Sequence, residues 1–139
     1  MPRNISFALT TDQIRQRTKT VTRRKGWKFL KVGDILNACV KCMGLKPGEK
    51  VERLGRIRVT SVTQESLRVL CEDRTYGRKE AKREGFPQMR GHEFALMFCQ
   101  HMGGDIDQVV TRIEFEYLDH DEADGGAIVT RRSSRPAVV

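Results

Sequence analysis

The alternation of apolar and charged residues in RIEFEYL, residues 112–118, constrains the fold more than any other feature of the chain. Ile113, Phe115 and Tyr117 alternate there with charged side chains. Successive side chains of a β-strand point to opposite faces, so the pattern predicts a strand with one buried and one solvated face. The segment RLGRIRVTSV, residues 53–62, alternates in the same way and predicts a second such strand.

Helical patterns appear mainly in the second half of the chain. YGRKEAKREGF, residues 76–86, predicts a charged helix that ends at Gly85, a C′ residue in the left-handed region. RGHEFALMFCQHMGG, residues 90–104, has apolar residues at helical spacing, which indicates a helix packed on the core. A short helix is expected from about Thr11 to Arg17, with Thr10 as its N-cap and Gln13 completing a capping box.

The remaining segments predict short strands. These are residues 4–9, TKTVTRR at 18–24, a strand from about 35 to 41, and LRVLC at 67–71. Five or six strands with two or three helices predict an α+β fold, in which a small, strongly curved sheet or closed barrel carries helices on its outside.

The length of 139 residues fits one domain, expected over residues 1–118. Residues 119–139 have few apolar side chains and several Gly, Ser and Pro, so we expect a mobile tail. No stretch approaches the roughly 20 apolar residues that cross a bilayer, and the start has no apolar run suited to a secretory signal. The expectation is therefore a soluble, cytoplasmic protein without a membrane partner.

Positive charge is concentrated near the start. The formal net charge is +8, and residues 1–35 hold nine Lys and Arg against Asp12 and Asp34, a net +7. RTKTVTRR, residues 17–24, interleaves cations with hydroxyls and contains no acid, which favours a phosphate-binding surface over a merely solvated face. The predicted nucleic-acid-binding residues are Arg17, Arg23, Arg24, Lys25, Trp27 and Lys28.

The cysteines give no strong motif. Cys39 and Cys42 form a CxxC pair, but no second pair follows at zinc-finger spacing. We therefore predict reduced thiols, no metal site and no cofactor.

The order of several segments resembles the ASCH domain of the PUA-like superfamily over roughly residues 4–118. These segments are KTVTRR, LKVGDIL, the strand RIRVTSV and the helix ending in REGF. The resemblance implies a small PUA-like β-barrel with flanking helices and a cleft. Members of the family are linked to RNA or nucleotide binding. Some small bacterial members are amidohydrolases that remove the acyl group from acetylated cytidine, and another has been described as a ribonuclease.

The resemblance also implies a catalytic site of Lys19, Thr22 and Glu84. Thr22 would attack the amide carbonyl, Lys19 would take its proton, and Glu84 would orient the lysine or assist the proton. The three side chains should then line one cleft, with Lys19 where the strand begins or at a bulge, because residues i and i+3 of a strand face opposite ways. The structural alternative is a Lys19–Glu84 ion pair without chemistry.

Three functions remain open from the sequence. The first is an RNA- or nucleotide-binding protein with a basic cleft that hydrolyses an amide on an acylated nucleoside base. The second is an RNA-binding module without chemistry, or a ribonuclease-like member of the family. The third is a small regulatory protein that binds a protein–nucleic-acid machine, with a protein partner held by the 42–54 loop or the C-terminal tail.

Overall fold

A computed structural model describes residues 2–42 and 45–118 of the chain. The described strands are β1 (Arg3–Ser6), β2 (Val21–Arg24), β3 (Ile35–Cys39), β4 (Arg53–Ser66) and β5 (Val109–Tyr117). The helices are α1 (Thr11–Arg15), α2 (Arg68–Glu72), α3 (Arg74–Arg83) and α4 (Gly91–Met102), and a 3-10 turn (Ala8–Thr10) precedes α1. The tail predicted at 119–139 lies outside the described residues.

The five strands form one mixed sheet in the order β1-β3-β4-β5-β2. β1 pairs with β3 in parallel, and all the other pairs are antiparallel. The sheet curls into a half-barrel with the helices outside it, which confirms the predicted α+β fold of a small curved sheet with helices on its outside. β1 and β2 are the two edge strands, yet Arg24 Nη2 on β2 donates to Ser6 O on β1 at 2.5 Å. The curl therefore brings the two edges together.

Two hydrophobic clusters support the fold. The first lies on the concave side of the sheet and includes Phe7, Leu36 and Phe115. The second joins the helices to the start of β5 and includes Leu70, Phe98 and Val110. The strand alternation identified in RIEFEYL is observed, since Ile113 and Phe115 are buried while Glu116 is exposed.

Several local predictions were wrong. LRVLC belongs to α2 and not to a strand, because Leu67 and Leu70 are both buried at a spacing of three residues. α1 ends at Arg15, and the Thr10 side chain makes no capping hydrogen bond. The Gln13 amide instead donates to Gly85 O at 3.2 Å, so α1 is tied to the end of α3. The described chain has four α-helices where two or three were expected.

Two glycines let α2, α3 and α4 pack closely. A Cβ on Gly77 would lie 2.2 Å from Leu70 O, and one on Gly91 would lie 2.1 Å from the same oxygen. The predicted end of α3 is confirmed, since Glu84 is its C-cap and Gly85 has φ +104°. Across the described residues, no helix is both long and apolar enough to span a bilayer.

Candidate functional site

A cleft opens where residues 6–24 meet the end of α3 and α4. Its cavity volume is about 130 Å³. The lining comes from the end of β1 and the 3-10 turn, from β2, from the end of α3 and from α4. Its polar side chains are Ser6, Thr10, Lys19, Thr22, Arg23, Arg24, Glu84 and His101. Its apolar side chains include Phe7, Leu9, Phe86, Phe94, Met97, Phe98 and Met102.

Lys19 lies just before β2 with its side chain buried. Its Nζ donates to Glu84 Oε1 and to Glu84 O, each at 2.7 Å. The backbone beside it is held on both sides, because Thr20 N donates to Arg83 O and Phe115 N donates to Thr20 O. Because Lys19 lies ahead of β2, the rule that residues i and i+3 of a strand face opposite ways does not apply to Lys19 and Thr22. Lys19, Thr22 and Glu84 therefore line one cleft, while their catalytic role stays a prediction.

Burial changes the acid–base character of Lys19. Loss of hydration is the largest cause, and it lowers the pKa of Lys19 because water stabilises the ammonium form. The Glu84 carboxylate opposes this change, and the guanidinium groups of Arg24 and Arg23 add to it. The net direction is downward from the ordinary value of 10.5.

Thr22 lies on β2 with only 3 % of its surface exposed. Its Oγ1 accepts a hydrogen bond from Arg24 Nε at 3.0 Å. In the described part of the chain no hydrogen bond joins Lys19 Nζ to Thr22, so the lysine faces its carboxylate partner. Proton transfer between them requires the ammonium or amine to turn from Glu84 toward the hydroxyl.

The charge of Arg23 is neutralised by acidic residues from later segments of the chain. Its guanidinium contacts the carboxylates of Glu65, Glu80 and Glu84 at 2.5, 2.6 and 2.9 Å. These charges raise the pKa of Arg23 although burial, the largest single cause, acts to lower it. The side chain has no exposed surface. Arg23 is therefore placed to hold Glu84 rather than to reach a phosphate.

Glu80 extends this network behind the cleft. It also pairs with Arg112 at 2.6 Å and lies 3.7 Å from Arg83. Burial alone would raise the pKa of Glu80, but hydrogen bonds from Arg112 and Arg23 outweigh it and hold that pKa below its ordinary value. Glu80 is thus a buried anion that fixes the cations of β2 and β5.

Of the other predicted nucleic-acid contacts, Arg24 lines the cleft and the remaining four lie outside its lining. Arg17 is exposed, and its guanidinium lies 5.4 Å from the centre of the Tyr117 ring. Lys25 and Lys28 are exposed. Trp27 is half-buried and packs on Phe29 with the ring centres 5.5 Å apart, so it does not present a free face to the cleft.

Sequence reasoning missed the α4 wall of the cleft. Phe94 and Phe98 were assigned to the core; they are buried, yet they also line the cleft. His101 and Met102 continue the same helical face toward solvent. Their spacing of three and four residues was visible in the sequence, but nothing there indicates that this face meets β1 and β2.

The described residues contain no group of three or more His, Cys, Asp or Glu that could hold a metal ion. The four cysteines are free thiols. Burial, the largest cause, raises the pKa of Cys39 to about 11, which keeps this thiol protonated near neutral pH.

No protein-family model and no curated protein matches the chain. Two solved structures are similar in fold. One is protein EF3133 of Enterococcus faecalis, assigned to the DUF984 family, with a TM-score of 0.58 and 17% identity over 86% of this chain and 81% of that chain. The other is an ASCH domain from Lactobacillus crispatus, with a TM-score of 0.51 and 16% identity over 83% of this chain and 78% of that chain. The protein has an ASCH-like fold.

Proposed function

We propose that the cleft binds an acylated nucleoside base and hydrolyses its amide, with Thr22 as nucleophile, Lys19 as base and Glu84 as the residue that orients Lys19. The observation that carries this proposal is the buried contact between Lys19 Nζ and Glu84 Oε1 at 2.7 Å, in the same cleft as Thr22. The two partners of that contact lie 65 residues apart in the sequence.

The chemistry needs a hydroxyl that loses its proton as it attacks. A threonine hydroxyl is a weak nucleophile and requires a neighbouring base. An ordinary lysine is charged near neutral pH, but the lowered pKa of Lys19 increases the fraction of neutral amine. Lys19 would take the proton from Thr22 Oγ1 and return it to the departing nitrogen of the base. Water would then hydrolyse the acyl-threonine ester and release a carboxylate.

The size and walls of the cleft fit a small planar amide. Its cavity of about 130 Å³ is near the roughly 150 Å³ of an engineered cavity that accommodates benzene. Aromatic side chains of α4 form one wall, and aromatic rings stack on nucleobases. One base with its short acyl group is therefore the substrate size that we propose.

The test is the release of free cytidine from N4-acetylcytidine by the purified protein. We expect Lys19→Arg to lose about 100-fold or more of kcat, because arginine keeps the charge but does not act as a base near neutral pH. Thr22→Val should be inactive while still binding the substrate. Glu84→Gln should lower kcat more than it weakens binding.

Matched controls come from exposed positions of the same residue types. Thr18→Val and Lys31→Arg replace side chains outside the cleft and should leave turnover unchanged. If the Lys19→Arg variant turns over an amide substrate as fast as the wild type, Lys19 is not the base, whichever amide is used.

A second candidate function is RNA or nucleotide binding without chemistry. It is favoured by one observation, namely that both hydrogen bonds of Lys19 Nζ go to Glu84 and none goes to Thr22 among the described residues. The pair would then only shape the cleft. Salt-sensitive binding of a short RNA, with intact RNA and acetylcytidine recovered afterwards, would support this candidate over the hydrolase.

A further inference from the structure

Arg23 and Arg24 are neighbours on β2, but only one of them is neutralised. Arg23 contacts three carboxylates. Arg24 forms no ion pair with any acidic residue in ranges 2–42 and 45–118. Residues i and i+1 of a strand point to opposite faces, which separates the two guanidinium groups. Arg24 therefore has no carboxylate at salt-bridge distance among the described residues, and Glu84 acts on its charge from farther away.

The contacts of Arg24 fix its position without cancelling its charge. Its Nε donates to Thr22 Oγ1 at 3.0 Å, and its Nη2 donates to Ser6 O at 2.5 Å. The guanidinium lies 4.8 Å from the centre of the Phe7 ring. Both acceptors are neutral, and Nη1 makes no hydrogen bond to a described residue. Burial, the largest cause, lowers the pKa of Arg24 to about 10, which still leaves it charged near neutral pH.

A half-buried guanidinium in a concave site, with one nitrogen that makes no hydrogen bond to a described residue, is suited to bind an anion. We propose that Arg24 is the anion-binding group of the cleft and that it takes a small carboxylate or the oxyanion that forms when Thr22 attacks an amide. The oxyanion role rests on the proposed hydrolase, whereas carboxylate binding does not need turnover. The proposal therefore assigns the cleft a second kind of ligand. Besides the nucleoside base, the cleft would bind the carboxylate that is released from the acyl group.

The electron movements agree with this placement. As Thr22 Oγ1 bonds to the carbonyl carbon, the C=O π pair moves to the oxygen, and the hydroxyl proton goes to Lys19. Arg24 Nε already donates to Thr22 Oγ1, so the new oxyanion forms two bonds away from an atom that the guanidinium contacts. When the C=O bond re-forms, the amine leaves with the proton that Lys19 held. Attack by water then yields the free hydroxyl and a carboxylate.

The cleft favours a monoanion over phosphate. Glu84 lines the same cleft, so a second negative charge on the ligand would be repelled. Phosphate carries more than one negative charge on average near neutral pH, whereas a carboxylate carries one.

Acetate is the probe that tests the site directly. Calorimetric titration of the full-length protein with sodium acetate, at constant ionic strength set by sodium chloride, should detect binding to the wild type. Arg24→Gln should weaken it at least tenfold, and Arg24→Lys should retain part of it, because lysine keeps the charge but lacks the planar fork. The matched control is Arg58→Gln, an exposed arginine paired with Glu116 outside the cleft lining, which should bind acetate like the wild type.

Stability separates a ligand-binding arginine from a structural one. Removing a half-buried cation that has no carboxylate at salt-bridge distance should lower the urea midpoint less than removing Arg23, which would strand three carboxylates. A loss like that expected for Arg23→Gln, which would strand three carboxylates, overturns the proposal. If Arg24→Gln fails to fold, the acetate affinity of Arg24→Lys decides: an affinity equal to that of the wild type overturns the anion site.

The remaining outcomes separate this inference from the hydrolase. Acetate binding that depends on Arg24, in a protein that releases no cytidine, supports the anion site and removes only the hydrolase. Cytidine release that Arg24→Gln leaves undiminished overturns the anion site and keeps the hydrolase. Inorganic phosphate that binds tenfold more tightly than acetate, or acetate that does not bind the wild type, also overturns it.

Discussion

At the scale of single residues, the protonation of Lys19 controls what the cleft does. Burial lowers its pKa, and Glu84 is the main influence in the opposite direction. If the neutral amine is the base, kcat/KM rises with pH through the lowered pKa and levels off below the ordinary 10.5. Glu84→Gln removes the charge that raises the pKa, so the inflection of its pH–rate profile should move to lower pH. An inflection that stays in place, or moves upward, would contradict this account.

The same pKa gives a readout that does not depend on activity. Between the lowered pKa and 10.5 the unfolded chain binds more protons at Lys19 than the folded chain. The free energy of unfolding therefore rises with pH across that window through this residue. Lys19→Met lacks the titrating group, so a series of urea denaturation curves should show a smaller rise with pH than in the wild type.

The residues of the site were predictable to different degrees. Lys19, Thr22 and Glu84 were identified through a resemblance, and Glu84 also because it ends a helix without a local cation. The partners of Arg23 were not predictable, because they lie 42 to 61 residues away and only tertiary packing brings them close. The contrast between Arg23 and Arg24 was partly visible, since strand parity places Arg24 on the face of Thr22.

At the scale of secondary structure, the closest approach is the crossing of α3 and α4 over the end of α2. An alanine normally favours a helix over glycine by about 1 kcal/mol. At Gly77 its methyl group would lie 2.2 Å from Leu70 O, so the backbones must separate. We expect Gly77→Ala to lower the free energy of unfolding by about 1–3 kcal/mol, measured by urea denaturation.

Thr75→Ala is the control, because Thr75 is exposed on the same helix. It should change stability by no more than about 0.5 kcal/mol. A Gly77→Ala protein as stable as the wild type would show that the helices separate without cost, contrary to the expectation. The separation would also move Glu84 at the end of α3, so the binding of acetylcytidine should weaken in the same variant.

Long periodic elements were predictable and short ones were not. The alternation in β4 and β5 and the apolar spacing in α4 extend over many residues. Over such lengths a strand period of two residues and a helix period of 3.6 residues can be told apart. LRVLC has only five residues, and its branched and apolar side chains suit a strand as well as a helical turn. Its helical state depends on Leu67 and Leu70 packing into the second cluster, which is tertiary information.

At the scale of the whole molecule, the net charge of +8 is the main argument for a polyanion partner. With Arg23 enclosed and Arg24 in the cleft, the exposed cations among the predicted nucleic-acid-binding residues are Arg17, Lys25 and Lys28. Replacing all three by Gln should weaken binding of a short single-stranded RNA. The slope of log K against log salt should fall by about 0.7 for each phosphate group that the variant no longer neutralises, up to about 2 for the three cations together.

The control for that measurement removes three charges elsewhere. Lys31, Lys46 and Lys50 are exposed and lie outside the cleft lining. Their triple Gln variant carries the same net charge but should keep most of the salt dependence. Equal slopes for the two variants would mean that RNA responds to net charge alone and that no local surface binds it.

The position of β2 in the sheet has a consequence for how the protein is made. β2 carries Thr22, and it pairs only with β5, the last described strand. A ribosome completes residues 19–24 early but must synthesise almost the whole described chain before their partner strand exists. Pairings so distant in sequence form slowly, because the intervening loop must close first. A nascent chain thus holds its candidate reactive residues unassembled until the domain is nearly complete, and a chain cut short before β5 would contain the cleft-lining residues but lack the strand that β2 pairs with.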